Sequence, residues 1–351
     1  MGDFSLKQRS YYFDNGKFLL IFLVVLGHSI TTFKDDQTFN AIYNTIYTFH
    51  MPAFILISGY FAKGLFEKEY IQKLVKKLLL PYAIFQIIYS IIYYYQMDEA
   101  TFVIDLFTPQ WTLWYLLSLF SMYVLLPLFT KMKKSWSLFI AVAISLIVGY
   151  VDVIGEFLSL SRTLFFFPYF LLGYYLKKEH FIKISSRRNI FPALLIMIGT
   201  FAYFYFNRSF DHLWLFGSDP YANMDAVLSL DFLQRLSVYF VGLLMVFSLL
   251  ALIPKKQYWF TNMGKYTLYV YLLHGFAIKI FRASPLEQWL KDYQLLWLIA
   301  PAAFILVYLL SSQAVRTATK PLIEISLPKW TVNLRYMGAR HHPENGSLSS
   351  E

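Results

Sequence analysis

Three of the seven histidines, His28, His50 and His274, lie within long apolar stretches. Near physiological pH a neutral imidazole can act as a general base or as a nucleophile. His28 could therefore deprotonate an acceptor hydroxyl, or attack a thioester and hold the acyl group briefly. One buried histidine is about as often a packing residue. Three, each needing polar partners away from lipid, favour a shared polar cavity.

Lys17 and His28 lie on nearly the same face of a predicted helix. They are eleven residues apart, about three turns and roughly 16 Å along the axis. This spacing predicts Lys17 at the lipid boundary and His28 near the middle of the membrane. Lys17 could act electrostatically along this face or extend to the headgroups. Asp14, three residues earlier, could pair with Lys17 at helical spacing. We predict His28 and Lys17 as catalytic residues.

Other side chains are candidates for binding a substrate or cofactor, each with a structural alternative. Two arginines at the outer ends of predicted spans could face an anionic or sugar ligand, or reach the headgroups. Two tryptophans could stack on a sugar or belong to an interfacial belt. Three lysines could bind phosphates or only mark topology. Ser58 lacks the GxSxG context of a serine nucleophile. The binding candidates are Asp14, His50, Ser58, Lys73, Lys76, Lys77, Trp111, Trp114, Arg162, Arg235 and His274.

Several chemistries find no support in the sequence. The chain has no cysteine, which excludes disulfides, thiol nucleophiles and thiolate metal sites. Histidine nitrogens suit zinc, but no HExxH motif is present and no carboxylate in the spans stands at helical spacing from the three histidines. We therefore expect no metal. No Walker A or GxGxxG motif is present either, so an ATP-driven pump is not indicated.

The elements that must position these residues are apolar helices. Of 351 residues, 58% are hydrophobic and only 15% are charged, against about 25% charged in soluble domains. Apolar stretches of roughly 20 residues recur along the chain. We predict an all-α, polytopic integral membrane protein with about ten transmembrane helices in one bundle. The predicted spans are 16–34, 41–62, 78–97, 111–130, 136–154, 163–176, 190–206, 232–253, 266–281 and 293–314.

The net charge of +10 is explained by topology. Lys and Arg cluster in short loops between apolar runs, as expected of cytoplasmic loops, so nucleic-acid binding is not expected. Ten spans place both termini in the cytoplasm and the protein in the plasma membrane. We expect one membrane-embedded domain over residues 1–320 and a partly disordered cytoplasmic tail over 321–351.

The order of motifs resembles the acyltransferase family 3 membrane proteins, whose hallmark is a basic residue, ten residues, then histidine in the first span. Lys17 stands where the family usually has Arg, as in the subgroup resembling fucose 4-O-acetylases. The matching segments are YYFDNGKFLLIFLVVLGH (11–28), FHMPAFILISGYF (49–61), WTLWYLLSLF (111–120), FFPYFLLGYYLKK (166–178) and TLYVYLLHGF (267–276).

This resemblance implies transfer of an acyl group, typically acetyl from acetyl-CoA, to a hydroxyl of a carbohydrate or cell-envelope glycan. It implies His28 as the essential histidine and Lys17 as its basic partner. The segment KLVKKLLLP (73–81) resembles the family's basic stretch, with lysines in place of arginines. The family's frequent glutamate after the fourth-span tryptophan is absent, because Leu117 and Leu119 occupy that region.

Two other functions remain alternatives to an acyltransferase. The chain could be a transporter or flippase for a lipid-linked glycan, although the internal symmetry expected of one is not found. It could also be a non-catalytic assembly partner for a surface polysaccharide. As an acyltransferase, it would complete transfer alone or hand the acyl group to a separate protein of polysaccharide synthesis or export.

Overall fold

The computed structural model describes residues 10–63, 70–96, 103–152, 154–155, 157–224 and 230–325. These residues form helices and connecting loops, with no strand among them. The predicted tail from residue 326 lies outside the described residues. The helices are α1 (Tyr11–Ser29), α2 (Gln37–Tyr60), α3 (Tyr70–Leu74), α4 (Leu80–Gln96), α5 (Trp114–Thr130), α6 (Lys134–Val148), α7 (Leu160–Tyr175), α8 (Lys178–Ile184), α9 (Ile190–Phe206), α10 (Asp231–Leu252), α11 (Thr267–Ala283), α12 (Leu286–Asp292), α13 (Ile299–Leu310) and α14 (Gln313–Ile323).

Each of the ten predicted spans overlaps a helix. By length and composition, five described helical segments could cross a membrane, or six if the bent pair α13 and α14 forms one broken span. Ten spans therefore stay a prediction. Helices α1 and α2 are long enough but fall outside the apolar set, because polar residues such as Asp14, Asn15 and Asn44 lower their hydropathy. These polar residues are buried inside the protein.

The first helix begins and ends earlier than the predicted span of 16–34. It starts at Tyr11, and after Ser29 the chain turns through a short 3₁₀ helix at Thr31–Phe33. His28 therefore lies in the last turn of α1, and its position near the middle of the membrane stays a prediction. The early start is stabilised by burial of the polar Asp14 and Asn15 against the loop before α11.

That loop fixes the beginning of α1. Asn15 donates from Nδ2 to the carbonyl oxygens of Pro254 and Lys256, both at 2.8 Å, and accepts from Thr261 at 2.6 Å. A Cβ on Gly264 would lie 1.8 Å from the carbonyl oxygen of Asp14, so only glycine permits this approach. Helix α11 therefore starts beside the Lys17 end of α1 and runs parallel to it towards the His28 end.

Helix α2 returns from the His28 end and crosses α7 at very short range. A Cβ on Gly59 would lie 2.0 Å from the carbonyl oxygen of Phe170, and one on Gly173 would lie 1.9 Å from that of Leu56. Small residues at both positions let the two backbones touch, as in many membrane helix pairs. This crossing fixes α2, which carries Tyr47 and His50, against the rest of the bundle.

Candidate active site at the His28 end of the bundle

His28 is surrounded by aromatic and histidine side chains from three other segments. Its Nδ1 lies 3.1 Å from the hydroxyl of Tyr47 on α2. The Trp111 ring packs edge-on against it at a centroid distance of 4.9 Å. The His274 ring of α11 lies 5.5 Å away. The structure thus brings together His28, Trp111 and His274.

The backbone holds His274 and His50 in one orientation. His274 faces the carbonyl oxygens of Val270 and Tyr271 through Nδ1, at 3.0 and 2.6 Å. His50 faces the carbonyl oxygen of Ile46 in the same way at 2.8 Å. A carbonyl only accepts, so Nδ1 of both rings carries the proton. The His274 Nε2 lone pair is buried and has no partner within the part of the chain that is described. His50 reaches His28 only through Tyr47, whose ring it contacts at 4.7 Å.

A cavity of about 200 Å³ lies against His28. The other described residues of its wall are apolar or hydroxyl-bearing, with no lysine, arginine or carboxylate among them. Along α1 it runs from Ile21 through Val24 to His28, about 10 Å by helical rise. The lining residues are Ile21, Val24, His28, Met51, Phe54, Leu78, Thr112, Trp114, Tyr115, Leu116, Leu119, Thr267, Leu268 and Tyr271. His50 and His274 are not among them.

Lys17 and Asp14 lie at the opposite end of α1 from His28. The predicted pair forms, with Lys17 Nζ 2.8 Å from Asp14 Oδ1, and the Asp14 side chain is only 2% exposed. The helix places Lys17 roughly 16 Å below His28. Direct proton exchange between Lys17 and His28 is therefore not possible in this arrangement, and any influence of Lys17 on the site is electrostatic.

Two of the predicted binding residues approach the cavity from α5 and α7. Trp114 lines it, and the Arg162 guanidinium lies over the Trp114 ring at 5.3 Å. Ser58 stands behind the wall. Its hydroxyl donates to the carbonyl oxygen of Phe54 at 2.9 Å and lies 3.0 Å from the hydroxyl of Tyr115. Ser58 thus positions two lining residues.

The predicted lysine cluster lies on α3 and the π-helical turn Val75–Leu79 that joins α3 to α4. Lys73 and Lys77 are exposed and Lys76 is half-buried. Leu78, from the same turn, lines the cavity. The basic segment is therefore next to the cavity wall without entering it.

Arg235 does not reach the cavity. Its guanidinium donates to the carbonyl oxygens of Ser145, at 3.0 Å, and Asp219, at 3.4 Å. The rings of Tyr221 and Phe165 lie against it at 4.4 and 5.4 Å. Arg235 is 1% exposed and joins the loop after α9 to α6 and α10.

Several residues that surround His28 are not distinguished by their pattern in the sequence. Tyr47 contacts its ring, and Arg282 donates from Nη2 to its carbonyl oxygen at 2.7 Å. Lys279 and Arg282 both lie over the Trp111 ring, at 5.4 and 5.1 Å. Trp111 has a φ of +34°, a conformation that costs free energy for a bulky residue. Unlike the three histidines, which stand out within apolar stretches, Tyr47, Lys279 and Arg282 have no distinctive position in the sequence.

The described side chains around His28 do not form a set of metal ligands. Among the described residues, no group of three or more His, Cys, Asp or Glu side chains could hold a metal ion. The His28 and His274 rings are close, but no carboxylate completes a site with them in the part of the chain that is described.

The family model described as an acyltransferase domain matches residues 10–314, and the chain belongs to this family. The chain is also similar to two proteins named nodulation protein NolL. It is 27% identical to the one from Sinorhizobium fredii (strain NBRC 101917 / NGR234) over 184 residues, which are 48% of this chain and 49% of the relative. It is 25% identical to the one from Mesorhizobium japonicum (strain LMG 29417 / CECT 9101 / MAFF 303099) over 181 residues, 48% of each chain. The chain thus spans about half the length of these curated relatives. No solved structure matches it.

Proposed function

We propose that the protein is a membrane-bound O-acyltransferase that moves an acetyl or other acyl group from acyl-CoA to a hydroxyl of a carbohydrate or cell-envelope glycan. The observation that carries this proposal is His28, an imidazole at one end of a closely lined cavity in a member of an acyltransferase family. Its Nδ1 is engaged by Tyr47, and no described residue hydrogen-bonds Nε2. Nε2 is therefore the nitrogen available to a substrate.

Two routes use this nitrogen. As a general base, His28 takes the proton of the acceptor hydroxyl while the oxygen of that hydroxyl attacks the thioester carbonyl. The carbon–sulfur bond breaks, and His28 returns the proton to the departing thiolate. As a nucleophile, His28 accepts the acyl group first and the hydroxyl then removes it. The His274 ring lies 5.5 Å away with an unprotonated Nε2, an acceptor that would favour the protonated form of the His28 ring.

The acyl donor would enter from the Lys17 end. Leu78 and Thr267 line the cavity on that side, and the turn that carries Leu78 also carries Lys76 and Lys77. A donor whose phosphates contact these lysines would direct its thioester along α1 towards His28. We place this end, and both termini, in the cytoplasm of a plasma-membrane protein. Proteins of polysaccharide synthesis or export would be its partners.

The absence of cysteine gives a direct assay. Purified protein in detergent is incubated with acetyl-CoA, and the released thiol is measured with a thiol-reactive dye, to which the protein contributes no background. We expect His28→Ala to abolish thiol release. His180→Ala is the matched control, because His180 is exposed and accepts a hydrogen bond from the Lys177 amide at the start of α8. Equal activity in both variants would refute the role of His28.

Mass spectrometry of surface glycan then separates transfer from transport. Cells with His28→Ala should keep normal amounts of glycan that lacks O-acyl groups. Loss of the glycan itself would instead favour a transporter or an assembly partner. Acyl label that stays on denatured protein, and disappears in His28→Ala, would identify the nucleophilic route.

A further inference from the structure

Two cations on α11 lie beside His28, and among the described residues neither forms an ion pair with a carboxylate. Lys279 and Arg282 are three residues apart and therefore share a helical face. Glu287, shortly after them in the chain, pairs with Lys291 at 3.2 Å and also attracts Arg282 from beyond ion-pair distance. The like charges repel each other, so the arrangement would be stabilised by an anion between them.

Both cations are held in place by aromatic rings. The Lys279 ammonium lies 4.6 Å from the centre of the Tyr93 ring and 5.4 Å from that of Trp111. The Arg282 guanidinium lies 5.1 Å from the Trp111 ring. Contact with a π face positions a cation but leaves its charge in place. The Arg282 Nε is also buried with no hydrogen-bond partner among the described residues. Trp111, which both cations share, has the strained φ of +34°.

We propose that Lys279 and Arg282, arranged around Trp111, form a binding site for a phosphate group. A phosphate monoester carries about −1.5 to −2 charge at neutral pH and offers three acceptor oxygens. This matches one mobile ammonium, which binds phosphate as a point charge, beside a guanidinium with a free Nε. The half-buried positions of both side chains strengthen their attraction to an anion relative to exposed residues.

The position of the site indicates which substrate carries the phosphate. Along α11, Lys279 lies about 7 Å and Arg282 about 12 Å beyond His274, away from the Lys17 end. A donor that enters from the Lys17 end would bring its phosphates to the opposite side of His28. The phosphate at Lys279 would therefore belong to the acceptor, on a different part of that molecule from the reacting hydroxyl. This last step rests on the proposed function, whereas the phosphate site does not.

Binding of hexyl phosphate to the purified full-length protein in neutral detergent tests the site without requiring acyl transfer. By isothermal titration calorimetry we expect saturable binding that weakens as salt is raised. Lys279→Gln should weaken it by about tenfold or more, the size of one lost charge-assisted hydrogen bond. Lys279→Arg should retain it. Lys291→Gln is the matched control, since this lysine contacts Glu287 and the Phe33 ring.

The proposal is overturned if hexyl phosphate does not bind, or if Lys279→Gln binds it as tightly as the unchanged protein. Should Lys279→Gln not fold, the salt dependence measured on the unchanged protein decides, because binding to an apolar groove would not weaken with salt. Hexyl glucoside, which lacks the charge, should not compete. If inorganic phosphate binds as tightly as hexyl phosphate, the site binds free phosphate, and the proposal that it binds a phosphate ester of the acceptor is refuted. If hexyl phosphate binds but the protein releases no thiol from acetyl-CoA, the phosphate site is supported and the proposed transferase function is refuted.

Discussion

Arg282 donates a hydrogen bond from Nη2 to the carbonyl oxygen of His28 at 2.7 Å. This carbonyl belongs to the last turn of α1, where the final carbonyls have no partner within the helix. A cation at this position also complements the negative end of the helix dipole. The same arginine thus stabilises the end of α1 and fixes the backbone from which the His28 imidazole projects.

Replacing Arg282 by Met should therefore affect stability and catalysis together. We expect the free energy of unfolding to fall by about 1 kcal/mol, the value of a charge at a helix terminus, and acyl transfer to fall because the last turn of α1 loosens. Arg316→Met is the control: Arg316 donates to the carbonyl oxygen of Ser311 at 3.1 Å after α13, away from His28. In thermal unfolding, Arg316→Met should lose about as much stability as Arg282→Met, and it should keep full turnover. A fully active Arg282→Met would contradict this role.

Removing the Tyr47 hydroxyl should lower turnover without weakening donor binding. Tyr47→Phe keeps the ring stacked on Tyr43 at 4.1 Å but loses the contact with His28 Nδ1. We expect kcat to fall by about tenfold, the value of one lost hydrogen bond to a reacting group. KM for acyl-CoA should not change, because Tyr47 does not line the cavity. Steady-state kinetics measure both constants, and a kcat equal to that of the unchanged protein would count against Tyr47.

Arg235 should prove a structural residue. Arg235→Met leaves the carbonyl oxygens of Ser145 and Asp219 without their donor, so the free energy of unfolding should fall by roughly 2 kcal/mol. Arg208→Met, which removes an exposed bond to the carbonyl oxygen of Asp35, should cost less. Chemical denaturation of both variants measures the difference. A large rise in acceptor KM with unchanged stability would instead favour Arg235 as a binding residue.

The loop after α9 should lose stability as the pH falls. Burial, then the Lys34 ammonium 3.1 Å away, lowers the pKa of His212 from its ordinary value of 6.5, and Asp211 offsets this in part. The folded protein therefore binds fewer protons here than the unfolded chain, and the stabilisation present above about pH 6.5 is lost as the pH falls through the folded pKa. His212→Gln should flatten the decrease in Tm between about pH 7 and pH 5. His180→Gln, at an exposed histidine, should leave this decrease unchanged.

Much of this arrangement follows from the sequence. The spacing of Asp14 and Lys17 predicted their ion pair, and apolar stretches of roughly 20 residues located a helix for each predicted span. Three histidines among apolar residues predicted a shared polar cavity, and of the three only His28 is among the described residues that line the cavity. His28 and His274 do meet, while His50 is linked to them through Tyr47.

The rest depends on packing that local spacing does not encode. Tyr47 is one of 28 tyrosines, and only the crossing of α2 over α1 sets it apart. Arg282 is 254 positions from His28 along the chain, so its bond to that carbonyl is a consequence of α11 running parallel to α1. The end of α1 was misplaced because apolar residues continue past Ser29 into the 3₁₀ turn, and hydropathy does not distinguish the two.

The wall of the cavity beside His28 sets a rule for the acyl group. The described residues that line it include no cation that could neutralise a carboxylate, so a succinyl group would bury its charge without compensation. Under the proposed chemistry, the enzyme would discriminate by charge and prefer acetyl or another uncharged acyl group over acidic donors.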